Sequence, residues 1–280
     1  MESYTLLFRV PGWIIAVVIF AVCFLVAEGG YQLGKRHAAA KRDSTGDTES
    51  AARAKYKKDH LGAAQAAIAA LLGLLLAFTL SMSVSRFETR KLAVVDEANA
   101  VGTAYLRTDL LPEPQRTLSV RAFAEYVDVR LQLASPERYL SEASNLQERA
   151  TSLQQQLWSL GVSAAELDQR AVTYGLYLQS LNEMIDSAGR REAGLRNHVP
   201  EPVLYVIFVV AFAMLGVMGY TSGLSGGRSL VAEVVITFVV TAVMFVILDF
   251  DRPFRGVIRV NQQSLEDVRA LIEQGVRLLR

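Results

Sequence analysis

The sequence predicts an all-α membrane protein with four transmembrane helices in two pairs and a long helix two extending into a helical bundle inserted between the pairs. The first observation is composition: 51% of the residues are hydrophobic and the mean hydropathy is +0.25, yet 20% are charged. The second is that four apolar runs are long enough to cross a bilayer as a helix, which takes about 20 residues. The third is helical periodicity in the polar segment between the pairs. The apolar runs are Gly12–Leu33, Ala63–Ser85, Val203–Leu224 and Leu230–Phe250.

The chain divides into six predicted regions, whose boundaries follow the apolar runs and the polar stretches between them. The second region carries eight Lys and Arg against four acids and is expected to be unfolded. The last is an amphipathic helix that either lies on the bilayer surface or closes the bundle. The regions are an N-terminal transmembrane helix (1–33), a basic flexible linker (34–60), transmembrane helix two (61–86), a soluble helical bundle (87–200), transmembrane helices three and four (201–252) and a C-terminal amphipathic helix (253–280).

Helix two is expected to leave the membrane without a break. No proline occurs between Ala63 and Leu110, so one helix of roughly 70 Å is predicted, more than twice the thickness of the hydrocarbon core. Its polar half carries an apolar stripe at three- and four-residue spacing, which predicts one face packed within the bundle. The stripe consists of Phe87, Val94, Ala98, Val101 and Tyr105.

Prolines and glycines predict the boundaries of the later helices. The prolines at 112 and 114 end helix two, because proline removes a helix donor and restrains the residue before it. Gly161 is expected to end the fourth helix, and the segment from Ser163 to Glu166 is expected to open the fifth as a capping box.

Residues able to carry catalysis or bind a metal are scarce. The single cysteine, Cys23, cannot form an internal disulfide. The three histidines, His37, His60 and His198, have no second ligand three or four residues away. No phosphate-binding loop or nucleophile elbow occurs. The chain is therefore predicted not to be an enzyme and to bind no cofactor and no metal.

Helix two carries small residues at every fourth position inside the membrane, a spacing that lets another helix approach closely. The stripe packs inside the monomer, or it lines a subunit interface or a pore. Hydroxyl and aromatic side chains beside it are further candidates, although a threonine could instead donate to the carbonyl four residues earlier. The candidate pore or packing residues are Ala69, Gly73, Ala77, Phe78, Thr79, Ser81, Ser85 and Phe87.

Ionisable residues near the membrane form two further candidate groups. Glu28 and Glu233 lie near the ends of the first and fourth spans, and an ionisable residue at membrane depth indicates function. At the other membrane surface, charged residues at the end of the fourth span are expected to pair with those at the exit of helix two. This interfacial charge network consists of Arg86, Glu88, Arg90, Asp249, Asp251 and Arg252.

The basic linker determines the predicted orientation. By the positive-inside rule it lies in the cytoplasm, so both termini and the helical bundle lie outside. The lipid bilayer is the expected partner, since anionic headgroups suit the basic run. No nucleic-acid binding is expected, because no folded module accompanies these charges. The chain is predicted to be a multi-pass protein of the cell inner membrane.

Three blocks of sequence resemble those of a bacterial, bestrophin-like family of integral membrane proteins. They are LLGLLLAFTLSMSVSRFETRK, DEANAVGTAYLRTDLLP and LDFDRPFRGVIRVNQQSLED, and the resemblance covers roughly residues 61–271. It implies a remote similarity to bestrophins, which are pentameric anion channels with four membrane helices and a pore lined by helix two. It also implies cytoplasmic termini, opposite to the orientation that the charge pattern predicts.

The predicted function is that of a homo-oligomeric anion or ion channel in which helix two lines the pore, a pentamer by analogy with the family. The alternative is a non-conducting membrane sensor or scaffold whose helical bundle binds a partner.

Overall fold

The computed structural model describes residues 10–42, 48–167, 171–252 and 257–278, and over these ranges the chain is helical and contains no strand. The predicted all-α fold is confirmed. Four helical stretches, containing α1, α2, α6 and α7, are long and apolar enough to cross a membrane. The helices are α1 (Gly12–Arg42), α2 (Thr48–Leu106), α3 (Gln115–Leu133), α4 (Pro136–Leu167), α5 (Ala171–Arg196), α6 (Glu201–Ser225), α7 (Leu230–Asp251) and α8 (Gln263–Leu278), with a 3-10 turn at Arg107–Leu110.

The helix α2 is continuous over 59 residues, as the absence of proline predicts. The prediction of a flexible linker over 34–60 is wrong for 34–42 and 48–60, which are helical, while 43–47 lie outside the described residues. Alanine, lysine and arginine, which dominate these stretches, are strong helix formers. Both stretches also extend an existing helix, so they do not have to nucleate a helix of their own.

The chain forms two compact units. The first comprises Met1–Ser85 and Val199–Val257, and the second comprises Arg86–His198 and Ile258–Arg280. The first unit therefore contains α1, α6, α7 and the first part of α2, which are the membrane-spanning helices. The second contains the rest of α2 with α3, α4, α5 and α8.

The first unit packs around an apolar core contributed by all four of its helices. Its members are mostly aliphatic side chains and methionines, which suits the interior of a transmembrane bundle. The core includes Ile15, Ile19, Leu72, Leu76, Ile207, Leu215, Met244 and Ile247. Cys23 of α1 is fully buried in this core, where it packs as a small apolar side chain.

Helices α1 and α6 run parallel and meet backbone to backbone through a glycine seam, formed by Gly30 and Gly34 of α1 with Gly219 and Gly223 of α6. A Cβ atom at Gly219 would overlap the carbonyl oxygen of Ala27, and one at Gly34 would overlap the carbonyl oxygen of Tyr220. Such close approach brings Cα–H groups against carbonyl oxygens and is typical of membrane helix pairs with glycines four residues apart.

The second unit is a helical bundle with its own core. The apolar stripe predicted on α2 is buried from Val94 to Tyr105, whereas Phe87 is partly exposed. The largest core side chains come from α3, α4 and α5. They are Phe123, Tyr126, Leu153, Leu157, Tyr177 and Leu181.

The bundle differs from the prediction at Gly161. Helix α4 does not end there but continues to Leu167. A Cβ atom at Gly161 would lie only 2.8 Å from Cδ2 of Leu178, so this glycine permits α5 to pack closely rather than terminating a helix. The C-terminal helix α8 packs on α3 through buried Leu265 and Ile272, which closes the bundle.

Candidate functional site

Small and hydroxyl-bearing side chains of α2 lie on the outward face of this helix in the first unit. No heavy atom lies within 4 Å of the position of a Cβ atom at Gly73. Ala77, Ser81 and Ser85 are exposed, and Phe78 is 65% exposed. We call these five residues the α2 outward face. Among the residues that the structure describes, no helix of the first unit covers Gly73 within 4 Å.

The opposite side of α2 packs into the first unit. Leu72 and Leu76 are buried in the core, and Thr79 and Ser83 are buried beside them. The Thr79 hydroxyl donates to the carbonyl of Leu75 at 2.8 Å, one of the two arrangements considered from the sequence. The structure therefore separates Thr79 from the outward face.

Residues spaced by four along a helix do not stay on one side of it. Each step of four turns about 400°, so the stripe drifts by about 40° per step. Ala69, at its start, is partly buried against the core, whereas Gly73, Ala77, Ser81 and Ser85 are exposed. Ala69 therefore packs inside the monomer.

A charge cluster joins the two predicted intramembrane carboxylates, and the third member was missed from the sequence. Arg228, in the α6–α7 turn, donates to Glu28 Oε2 at 2.5 Å and to Glu233 Oε2 at 2.9 Å. Its guanidinium group also lies 4.4 Å from the centroid of the Tyr31 ring. The available signal was an arginine directly after two glycines in the short segment between two apolar runs. The cluster ties the turn to both α1 and α7.

We expect Arg228→Gln to destabilise the protein by about 2 kcal/mol, because two carboxylates would then face each other without a cation. The Glu233 side chain is only 5% exposed, so water cannot compensate fully. The measurement is thermal unfolding of the purified protein in detergent. Arg190→Gln breaks an exposed pair with Glu183 and should cost less than about 0.5 kcal/mol. Equal losses in the two variants would contradict the assigned role of Arg228.

The residues of the predicted interfacial charge network divide between the units. In the first unit, Asp251 accepts a hydrogen bond from the Val199 amide at 2.9 Å. Asp249 accepts one from the Val257 amide at 3.1 Å, and Arg252 donates to the carbonyl of Val10. Three of the six predicted members are therefore hydrogen-bonded to backbone groups that lie outside the membrane helices.

The other three members lie on α2 in the second unit. Arg86 donates to Asn197 Oδ1 at 2.9 Å and to the carbonyl of His198. Arg90 is buried and Glu88 is exposed. Pairing between these residues and the acids of the first unit stays a prediction.

A buried ionic triad in the second unit was also missed from the sequence. Glu97 on α2 accepts hydrogen bonds from Arg130 on α3 and from Arg191 on α5, the latter at 2.5 Å. Burial alone would lower the pKa of Arg130, but the adjoining Glu97 carboxylate reverses this and raises it. Arg191 also donates to Gln262 at 2.9 Å. The triad thus connects three helices and the segment that leads into α8.

Tyr126, a buried polar side chain near the triad, also has a hydrogen-bond partner. Tyr126 is fully buried and its hydroxyl accepts a hydrogen bond from Gln154 at 3.1 Å. Burial raises the pKa of Tyr126 to about 12.

In the part of the chain that the structure describes, no group of three or more His, Cys, Asp or Glu side chains could hold a metal ion.

The fold and its charge clusters define a multi-pass helical membrane protein with an appended helical bundle. The sequence pattern of the bestrophin-like domain matches residues 48–265. The chain belongs to the bestrophin-like family, as the three sequence blocks predicted. Among curated proteins, no sequence matches.

Solved structures show the same fold at low sequence identity. A bacterial bestrophin homolog from Klebsiella pneumoniae has a TM-score of 0.62 and 16% identity, covering 94% of this chain and 96% of that one. A single-residue variant of a bestrophin homolog from the same organism has a TM-score of 0.62 and 14% identity, covering 93% and 97%. A variant described as a membrane protein has a TM-score of 0.63 and 15% identity, covering 93% and 96%.

Proposed function

We propose that this protein is a homo-oligomeric ion channel of the inner membrane in which the α2 outward face lines the pore. The observation that carries the proposal is the chemistry of that face. Glycine, alanine and serine side chains are exposed along a membrane helix that belongs to a bestrophin-like domain. Small residues allow close contact between copies, and serine hydroxyls can replace part of the hydration shell of an ion.

The exposed side of α7 is the comparison for a face in contact with lipid. Its exposed side chains are mostly large and apolar, as contact with hydrocarbon favours. They are Leu230, Val231, Val235, Ile236, Phe238 and Val239. The α2 outward face carries small and hydroxyl-bearing residues beside Phe78, and Leu71 and Leu74 are the other large apolar side chains exposed near it. A face that is exposed in one chain but unlike the lipid-facing one is best explained by contact with other copies or with water.

The experiment that tests conduction uses the purified protein in liposomes. We expect ion flux under a salt gradient, with anions as the proposed permeant class, and the reversal potential reports which sign of ion passes. Phe78 is the one aromatic side chain of the face, so Phe78→Ala should change the flux while the buried Leu72→Met should leave it unchanged. A stable oligomer without flux would instead support the scaffold interpretation.

Assembly is tested by adding bulk to the α2 outward face. We expect Ala77→Leu to weaken or abolish the oligomer, because overpacking at a close contact costs about 1–3 kcal/mol and the cost recurs in every copy. Light scattering in detergent measures the oligomeric state. Ala21→Leu, at an exposed position of α1, is the matched control and should be tolerated. A monomeric wild type, or an unaffected Ala77→Leu oligomer, would refute the proposed position of α2.

Orientation is tested by thiol labelling of intact cells in a Cys23→Ala background. The α6–α7 turn lies at the same end of the first unit as the basic segment, since the Tyr220 hydroxyl is 3.0 Å from Nδ1 of His37. We therefore expect Gly227→Cys to be protected from a membrane-impermeant reagent and Ser144→Cys to be labelled. The reverse labelling pattern would support the cytoplasmic termini that the family resemblance implies.

A further inference from the structure

The part of α1 that follows its apolar span begins with the basic residues Lys35 and Arg36. Lys35, Arg36 and His37 follow the apolar span directly and are all exposed. The acids Glu28 of this helix and Glu233 of α7 are both paired with Arg228. Among the residues that the structure describes, neither Lys35 nor Arg36 forms an ion pair, so both side chains are available to an anionic partner.

The direction of Arg36 is set by the glycine seam. Gly34 faces the backbone of α6, where a Cβ atom would overlap the carbonyl oxygen of Tyr220. Arg36 follows two residues later, about 200° around the helix, and so lies on the side of α1 turned away from α6.

That side of α1 also carries the exposed apolar residues of the span. Val18, Val22 and Leu25 are exposed, and Arg36 lies three turns after Leu25, within about 20° of it and about 16 Å further along the axis. One side of α1 is therefore apolar at hydrocarbon depth and cationic where the headgroups begin. An arginine or lysine at this depth extends its charged end toward the headgroups.

We propose that Lys35 and Arg36 form a binding surface for anionic phospholipid headgroups, which enriches such lipids around the end of α1. The proposal does not depend on ion conduction. Basic side chains next to a membrane span attract anionic lipids, and the attraction falls with salt because it is electrostatic. A zwitterionic headgroup offers no net charge and should be excluded from this surface relative to an anionic one.

The experiment measures lipid composition next to Arg36 by fluorescence quenching. The full chain carries Leu33→Trp, one turn before Arg36 on the exposed side, with Trp13→Phe and Trp158→Phe. It is reconstituted in vesicles of phosphatidylcholine with one part in five phosphatidylglycerol, bromine being placed on one lipid or on the other. We expect quenching per molecule by brominated phosphatidylglycerol to exceed that by brominated phosphatidylcholine about three- to fivefold.

Charge variants distinguish binding from a nonspecific effect of the vesicle. The double variant Lys35→Gln with Arg36→Gln should bring the quenching ratio to about one, while Arg36→Lys should retain it because the charge is kept. Lys91→Gln, which removes an exposed lysine of the second unit, should leave it unchanged. A ratio near one in the unaltered charge background, or an unchanged ratio in the double variant, would overturn the proposal.

Discussion

Gly219→Ala should prevent the first unit from folding correctly or destabilise it by about 3 kcal/mol or more. The added methyl group would lie 2.9 Å from the carbonyl carbon of Ala27 and would overlap its oxygen. Overpacking usually costs about 1–3 kcal/mol, and this site is at the upper end because the obstacle is backbone, which cannot rotate away. Helices α1 and α6 would have to separate along the whole seam.

The neighbouring glycine of α6 supplies the control for this prediction. A Cβ atom at Gly216 would make an ordinary contact of 3.6 Å with Cγ1 of Val26, so Gly216→Ala should be tolerated. Thermal unfolding in detergent and the yield of monodisperse protein measure the difference. On α1, Gly30→Ala and Gly29→Ala should form a second such pair, because a Cβ atom at Gly29 has no heavy atom within 4 Å. Equal stability within each pair would contradict the seam.

Glu97→Gln should cost about 3–5 kcal/mol, because it leaves two buried arginines without a counter-charge. The side chains of Arg130 and Arg191 are 5% and 6% exposed, and that of Glu97 is fully buried. Trp158 packs against the core of the second unit, so its fluorescence in a Trp13→Phe background reports unfolding of that unit.

Two further variants show whether the loss arises from charge imbalance. Glu183→Gln removes an exposed partner of Arg190 and should cost less than about 0.5 kcal/mol. Combining Glu97→Gln with Arg191→Gln should restore part of the lost stability, since one buried charge disappears with the other. If the double variant is less stable than either single variant, charge imbalance is not the cause.

Sequence reasoning succeeded where one residue type dictates the backbone. The absence of proline predicted the continuity of α2, and the prolines at 112 and 114 predicted its end. It failed at Gly161, where glycine serves packing between α4 and α5 instead of ending a helix. A glycine can either end a helix or allow another helix to pack closely. Which role it has depends on the helix that packs against it, and local sequence does not identify that helix.

The candidate site was predicted in part for the same reason. Periodicity identified the small residues of α2 and could not tell which of them are covered, because that depends on α6 and α7. Glu28 and Glu233 were recognised as unusual in a membrane helix, whereas Arg228 between them was not. Glu28 and Arg228 are 200 positions apart in the sequence, so no local sequence pattern could predict that they pair.

The glycine seam has a consequence for synthesis. Helix α1 is synthesised before the other described helices, and its partner α6 begins only at Glu201. During that interval α1 must stay in the bilayer with the glycines at 30 and 34 facing lipid, while α2, α3, α4 and α5 are synthesised. Helix α1 also precedes the family-matched segment, which starts at residue 48. A protein shortened to that segment would lack α1, the helix that packs against the glycines of α6. Helix α6 would then be exposed to mispairing with another chain.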